Sequence, residues 1–269
     1  MKQFYLSADI EGTCGIAHWD ETEKGKDGYE HFARQMSREV AAACEGILAA
    51  GAEGVLVKDA HDSARNINPE LLPEAATIFR GWGRDMFVMM SGLTEAHAGV
   101  FFTGYHSAAG ADGNPLSHTM NTQNNEVRIN GIRTSELYIN SLTAAMLGVP
   151  VVMVTGDQML CDFIKTQNPN IYTVPVSTGV GNGSVSIHPN LAVRRIRETA
   201  EAAAADCLAN PDKFTFPLPD HFTVEINFKQ HYLARRAACY KDAVQVDSRT
   251  VRFDTDAFLE ALRFIFFVI

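Results

Sequence analysis

Residues 4–15 read Phe-Tyr-Leu-Ser-Ala-Asp-Ile-Glu-Gly-Thr-Cys-Gly, an apolar run that leads into two acids and a glycine-rich turn. The apolar part predicts a short buried strand. Because side chains alternate between the two faces of a strand, Asp9 and Glu11 point to one side and Ile10 to the other. Two neighbouring carboxylates repel each other unless a cation or a proton lies between them. The stretch is therefore consistent with a metal site at the end of the strand or with a solvated acidic turn, and the rest of the chain favours the metal site.

The composition is that of an ordinary globular chain of 269 residues, with 46% hydrophobic and 20% charged residues. Its 23 basic and 32 acidic residues give a formal net charge of −9, and the basic residues form no long block. We expect no nucleic acid and no membrane as a partner, because both bind through basic patches. Five scattered cysteines without Cys-x-x-Cys spacing are typical of free thiols in a reducing compartment. With no apolar signal segment and no membrane-spanning run, the expected location is cytoplasmic.

The next elements bring a histidine to the same edge of the predicted sheet. An apolar period of three to four residues predicts a helix over 29–50, and residues 54–57 read as a second strand. A strand–helix–strand unit is right-handed and makes its strands parallel. His61, which follows the second strand, is therefore expected beside Asp9 and Glu11.

A third apolar run, over residues 99–106, ends in His106. His118 follows in a loop, and Glu136 lies in the first turn of a helix predicted to end near residue 147. In an open α/β sheet, ligands gather at the carboxyl ends of the strands. Three apolar runs that each end in metal-binding side chains therefore predict one site at this edge.

The residue types of this set indicate the kind of metal. Mixed carboxylate and imidazole ligands suit zinc and related metals rather than calcium. Two histidines and three carboxylates are too many for one catalytic tetrahedral ion with an open position. They are about right for two ions roughly 3.5–4 Å apart. A carboxylate shared by both ions would explain the central position of Asp9.

The remaining pattern predicts a Rossmann-like α/β fold, a mostly parallel sheet flanked by helices, with a smaller C-terminal α+β part. Three prolines between 211 and 219 mark the expected boundary. We therefore expect a metal-binding catalytic domain over 1–210 and a smaller domain or extension over 211–269. The further predicted elements are strands or extended segments at 76–79 and 86–89, a hairpin over 127–132, strands at 149–154 and 172–176, a helix over 189–208, strands at 222–228 and 243–246, and a final helix from 256.

Taken together, these motifs resemble the DppA-like zinc-dependent D-aminopeptidase family. Their order and spacing match between Asp9 and Asp157, and the last third of the chain is only loosely similar. The motifs are Asp9-Ile10-Glu11-Gly12-Thr13-Cys14-Gly15, Asp59-Ala60-His61, Gly104-Tyr105-His106, Ser117-His118-Thr119-Met120, Glu136-Leu137 and Gly156-Asp157.

The resemblance implies a cytoplasmic metallo-aminopeptidase, a hydrolase that releases N-terminal D-amino acids from short peptides by metal-activated water. It implies two zinc ions bridged by Asp9. It also implies His118 as the catalytic histidine, either as a base or as a nucleophile, and a homo-oligomer, the family's ring-stacked decamer. The other implied metal ligands are Glu11 and His61 for one ion and His106 and Glu136 for the other.

Several alternatives remain open from the sequence. The preference for D-residues comes wholly from the resemblance. An L-aminopeptidase, a related metal-dependent amidohydrolase acting on another small amide, or a non-catalytic metal-binding protein would keep the same ligands. Asp59 is expected either to orient an imidazole or to be a simple turn acid. Asp157 is expected either to contact the substrate amine or to support the site from outside the metal shell. Residues 177–184 lack the basic residues that the family tends to carry there, which allows a different substrate preference.

Overall fold

The structure is a computed structural model that describes residues 2–269. The strands, numbered in chain order, are β1 (Gln3–Ala8), β2 (Gly54–Asp59), β3 (Ala76–Phe79), β4 (Val100–Tyr105), β5 (Asn124–Ile129), β6 (Ile132–Arg133), β7 (Val151–Asp157), β8 (Tyr172–Val180), β9 (Gly183–Ser186), β10 (Phe222–Phe228), β11 (Val244–Gln245) and β12 (Thr250–Thr255). The α-helices are α1 (Tyr29–Ala49), α2 (Glu136–Met146), α3 (Gln158–Gln167), α4 (Pro189–Ala209), α5 (His231–Ala237) and α6 (Phe258–Val268).

The main sheet has seven strands in the order β3-β2-β1-β4-β7-β8-β9. All neighbouring pairs are parallel except β8 with β9, which form an antiparallel hairpin. The crossovers from β1 to β2 and from β4 to β7 contain α-helices, the usual connection between parallel strands. The predicted mostly parallel sheet flanked by helices is confirmed.

Alternation along β1 divides the apolar core into two layers. Phe4 and Leu6 are fully buried on the face that packs against α1 and α4. Tyr5 is fully buried on the opposite face, which packs towards α2 and the second sheet. Because both faces of the sheet are covered, its carboxyl edge is where polar side chains can reach solvent.

The carboxyl ends of β1 and β4 touch through their main chains. A Cβ on Gly12 would lie 1.8 Å from the carbonyl oxygen of Tyr105, and a Cβ on Gly104 would lie 2.2 Å from that of Asp9. Gly104 also has φ +68°, a left-handed conformation that favours glycine. The amide of Gly12 donates to the carbonyl of Gly104 at 2.8 Å. Only glycine fits at these two positions, and the contact brings the residues after both strands side by side.

The second sheet is antiparallel, in the order β11-β12-β10-β5-β6. Strands β5 and β6 come from residues 124–133, whereas the other three strands follow residue 211. The small sheet thus contains strands from both of the predicted ranges, 1–210 and 211–269, and the division at this boundary stays a prediction. Helix α6 closes this part, with Phe264 fully buried and Phe267 65% exposed.

Several segments differ from the sequence predictions, including helix α5 and strand β12, which were not predicted. Residues 86–89, expected to be extended, lead into a short 3-10 helix at Val88–Met90, because the buried hydroxyls of Tyr5 and Ser7 hydrogen-bond to carbonyls of this turn. Helix α3 was not predicted, and β8 continues beyond residue 176 to pair with β9. No helix within residues 2–269 is both long and apolar enough to span a bilayer.

Candidate metal centre

The five predicted metal ligands meet at the carboxyl edge of the main sheet. Asp9 and Glu11 follow β1, His61 follows β2, His106 follows β4, and Glu136 is the first residue of α2. All five are buried, with His61 the most exposed at 8%. These five ionisable side chains come from four elements and lie together in a buried region. Their charges must be compensated there.

Asp9 lies at the centre of this group. Its Oδ1 is 3.4 Å from Nδ1 of His61, and its Oδ2 is 3.5 Å from Nε2 of His106. The two oxygens of one carboxylate therefore face two different histidines. Two triads contain Asp9, namely Asp9–Glu11–His61 and Asp9–His106–Glu136, and the ligand atoms within each triad lie within 4.8 Å of one another. A third group without Asp9, Glu11–His106–His118, meets the same distance.

Main-chain carbonyls fix the orientation of the three histidines of the site. Nε2 of His61 lies 2.9 Å from the carbonyl oxygen of Thr22. Nδ1 of His106 and Nδ1 of His118 each lie 2.9 Å from a carbonyl oxygen, that of Ser107 and that of Leu116. Each of these nitrogens carries the hydrogen that it donates, so the other ring nitrogen faces the carboxylates and is the atom that can bind a metal once it is deprotonated. Metal-binding histidines are held in this way.

Several atoms that face one another across the site lack hydrogen-bond partners. Asp9 Oδ2, Glu11 Oε2 and His106 Nε2 are buried and have no hydrogen-bond partner among the described residues. The imidazole nitrogens of His61 and His106 lie 3.1–3.6 Å from carboxylate oxygens. Tetrahedral zinc with bonds near 2.0–2.1 Å places neighbouring ligand atoms roughly 3.3 Å apart. The donor set and its spacing therefore fit metal ions of this kind.

The charges of the five predicted ligands also favour the binding of a cation. Burial, and then repulsion by Glu11, raise the pKa of Asp9 well above its usual value. Burial would lower the pKa of His106, but Glu136 and the other nearby carboxylates outweigh it and raise this pKa to about 10. Burial likewise opposes the charged form of His61, yet Glu11 and Asp9 raise its pKa well above the usual value. The site thus retains protons strongly, and a divalent cation would replace them.

Asp59 organises the loop that carries His61, and it makes no contact with the imidazole ring. Its Oδ2 accepts from the amides of Asn66 and Ile67 at 2.6 and 2.8 Å, and its Oδ1 accepts from Nδ2 of Asn66 at 2.9 Å. The same Nδ2 donates to the carbonyl of His61 at 2.7 Å. Asp59 therefore acts on His61 through Asn66.

Asp157 does not line the cleft, which differs from the expectation that it meets the substrate amine. It is fully buried, and its carboxylate accepts from the amide and the hydroxyl of Ser107 at 2.7 and 2.6 Å. It also caps α3, accepting from the amide of Leu160. Ser107 in turn provides the carbonyl that orients His106. Asp157 therefore supports His106, a predicted metal ligand, through Ser107.

Glu136 is held by the helix that it begins. Ser135 is the N-cap of α2 and accepts from the amide of Tyr138, so Glu136 occupies the first turn, where the helix dipole stabilises a carboxylate. Its Oε1 accepts from the amide of Met120 at 2.6 Å. The same oxygen lies 3.5 Å from Nε2 of His118, which places the loop of His118 beside the predicted metal ligands.

A cavity of about 300 Å³ opens above the carboxylates, and both tryptophans of the chain line it. Trp19 lies against His118, with ring centroids 5.3 Å apart. Trp82 donates to the carbonyl of Asp62 at 2.7 Å, and Nζ of Lys58 lies 4.4 Å from the centre of its ring. Neither tryptophan was predicted from the sequence to line the site. For Trp19, an aromatic side chain within a polar loop was a signal that could have indicated this.

Sequence comparison identifies the family. A family model described as D-aminopeptidase, Peptidase M55, matches residues 1–267. The chain belongs to the D-aminopeptidase family. It is therefore a peptidase, a hydrolase that acts on peptide bonds, as the sequence predicted.

Two relatives agree with this assignment. The chain is 30% identical over 263 residues to the D-aminopeptidase of Bacillus subtilis (strain 168), covering 96% of this chain and 93% of that protein. It is similar to a solved structure, the Zn-dependent D-aminopeptidase DppA from Bacillus subtilis, described as a self-compartmentalizing protease, with a TM-score of 0.89 and 27% identity. That match covers 99% of this chain and 96% of the DppA chain.

Proposed function

We propose that this protein is a dinuclear zinc aminopeptidase that releases N-terminal D-amino acids from short peptides. The observation that carries the proposal is the pair of triads that share Asp9, whose two carboxylate oxygens face His61 and His106 at 3.4 and 3.5 Å. A bridging carboxylate is the arrangement that holds two catalytic ions close together.

The donor set supports zinc as the metal, as does the description of the similar DppA structure as Zn-dependent. Glu11 and His61 would hold one ion, His106 and Glu136 the other, and Asp9 would bridge them. When bound, zinc lowers the pKa of its water toward neutrality and polarises the scissile carbonyl.

His118 is the proposed proton carrier of the reaction. Its Nδ1–H donates to the carbonyl of Leu116, which leaves Nε2 as the basic atom. The side chain is 14% exposed and lines the cavity, unlike the more deeply buried His106 beneath it. An imidazole in this position takes a proton as the amide is attacked and returns it to the leaving amine.

The charge of the cavity supports recognition of a free amino terminus. Its charged lining consists of Asp9, Glu11, Glu23, Asp62 and Glu136 together with two histidines, and none of the described residues that line it is a lysine or an arginine. A substrate ammonium group is attracted to such a surface, and an internal peptide segment lacks that group. The preference for D-residues rests on the family.

A homo-oligomer is part of the proposal, because the similar DppA structure is described as a self-compartmentalizing protease. A decamer follows from the resemblance alone. A cytoplasmic location and the division into 1–210 and 211–269 remain predictions.

The test combines metal content with a stereochemical panel. Elemental analysis of gently purified protein should give about two zinc ions per chain. Metal-loaded protein should then hydrolyse D-alanyl dipeptides faster than their L-alanyl counterparts, and a chelator should abolish hydrolysis. Faster hydrolysis of the L-peptides would establish the L-aminopeptidase alternative, whereas metal binding without turnover on any peptide or small amide would establish the non-catalytic one.

A further inference from the structure

A second cavity, of about 710 Å³, adjoins the one above the carboxylates. The two cavities share three lining residues, Trp19, Glu23 and His118. The second cavity is lined by none of the five proposed metal ligands. His118 and Trp19, whose rings lie 5.3 Å apart, therefore form the partition between the cavity above the carboxylates, which we call the metal side, and the second cavity.

The two cavities differ in charge. The metal side carries acids and no lysine or arginine among the described residues that line it. The second cavity contains Lys229 as its basic residue, surrounded by hydroxyl and amide side chains such as Ser117, Thr122 and Asn125. Its one acid is Glu23, which belongs to the shared partition. The acids thus lie on the metal side and in the partition, whereas Lys229 lies beyond His118.

Lys229 is well placed and available to bind an anion. It directly follows β10, and its amide donates to the carbonyl of Gln123 at 2.9 Å, which fixes it beside the loop that leads from His118 to β5. The side chain is exposed, and the ion pairs that lysines make within residues 2–269 involve other lysines, Lys26, Lys213 and Lys241. A lysine ammonium binds a carboxylate as a point charge with three donors.

We propose that the second cavity is the leaving-group subsite and that Lys229 binds the C-terminal carboxylate of a short peptide. This inference rests on the proposed function. A peptide with its ammonium group on the metal side has its scissile bond at His118, and its remaining residues then enter the second cavity. The volume lies within the range of small-ligand sites, so the subsite selects short peptides that end in a free carboxylate.

The test compares free acids with amides. Kinetic constants are measured for D-alanyl-D-alanine and D-alanyl-glycyl-glycine, and for the same peptides with C-terminal amides, using the metal-loaded enzyme and its Lys229→Gln variant. For at least one peptide length, kcat/KM of the wild type should favour the acid by about fivefold to tenfold, as expected for one charge-assisted contact. Lys229→Gln should bring this ratio close to one. Lys241→Gln, an equal change of charge at a site 91% exposed and outside both cavities, should keep the wild-type ratio.

Salt provides a second measurement, because raising ionic strength should lower the acid-to-amide ratio of the wild type but not that of Lys229→Gln. A wild-type ratio near one at both lengths, or a ratio that Lys229→Gln leaves unchanged, would overturn the subsite while hydrolysis itself upheld the proposed function. If the metal-loaded wild type cleaved neither acids nor amides, the proposed function would fail, and the subsite with it.

Discussion

The rings of His106 and His118 stack, with their centroids 4.4 Å apart and their planes 19° apart. His106 is almost completely buried and donates to the carbonyl of Ser107, so it forms a fixed surface. His118 lies on that surface, and its Nδ1–H donates to the carbonyl of Leu116. The proposed metal ligand therefore sets the orientation of the proposed catalytic residue.

Replacing His118 should separate catalysis from metal binding. We expect His118→Ala to lower kcat by about 10²–10⁴-fold, because general acid–base catalysis contributes on this scale. Zinc content should stay at the wild-type value, since His118 lies outside both triads that share Asp9. His231→Ala, a change at an exposed histidine in α5, serves as the control. Turnover that survives in His118→Ala would contradict the assignment.

The shared position of Asp9 predicts unequal losses of metal. Asp9→Ala should reduce zinc from about two ions per chain to almost none, because both triads lose a ligand. His61→Ala should remove about one ion, because His106 and Glu136 retain their contact with Asp9. Elemental analysis after equilibrium dialysis measures both. If Asp9→Ala and His61→Ala lost the same single ion, Asp9 would belong to one metal site only.

The parallel pairing of β1 with β2 and the ligands at the strand ends could be predicted from the sequence. Strand β1, helix α1 and the turn at Asn130-Gly131 follow from local periodicity and turn chemistry, and they occur as predicted. Parallel neighbours then bring Asp9, His61 and His106 to one edge, because that depends on topology alone.

What could not be predicted depends on contacts between distant main-chain atoms. The carbonyl of Thr22 orients His61 across 39 positions, and no side-chain pattern encodes it. Asp157 ends an apolar run as a metal ligand would, and only the structure reveals that Ser107 uses its oxygens. The pairing of β5 with β10 joins segments about a hundred residues apart, so the sequence does not reveal which strands form the second sheet.

Zinc affinity should rise with pH. In the metal-free protein the neighbouring carboxylates raise the pKa of His106 to about 10 and that of His61 above its usual value, against the effect of burial. Both imidazoles must release protons to bind metal, so the apparent affinity should increase between pH 6 and 9 by up to about tenfold per pH unit for each proton released. Competition titrations with a chromophoric chelator at several pH values measure this. An affinity independent of pH, after correction for the chelator, would exclude these histidines as ligands.

Glu39 should make the fold less stable as the pH rises. Burial raises the pKa of this carboxyl group from 4.5 to about 7, and its Oε2 has no hydrogen-bond partner among the described residues. Because the folded state binds the proton more tightly than the unfolded state, stability is lost as pH increases from about 4.5 through 7. Glu39→Gln should therefore gain about 2–3 kcal/mol relative to wild type between pH 5 and pH 8.

Unfolding followed by circular dichroism at both pH values tests this prediction, with the metal content of the two proteins matched. Glu45→Gln is the matched control, because Glu45 lies on the same helix with its side chain 52% exposed. An equal difference in unfolding free energy at pH 5 and pH 8 for Glu39→Gln would mean that Glu39 titrates normally in the folded protein.

The main-chain contact between Gly12 and Gly104 makes the geometry of the proposed metal site depend on the main sheet. Since backbone atoms rather than packed side chains set the separation of β1 and β4 there, weakening the apolar core elsewhere leaves the spacing of Asp9 and His106 unchanged for as long as the sheet exists. Variants of this enzyme with a damaged core should consequently keep normal catalytic constants up to the temperature at which they melt. Mutations in the core should thus change the stability of the molecule without changing its catalytic constants.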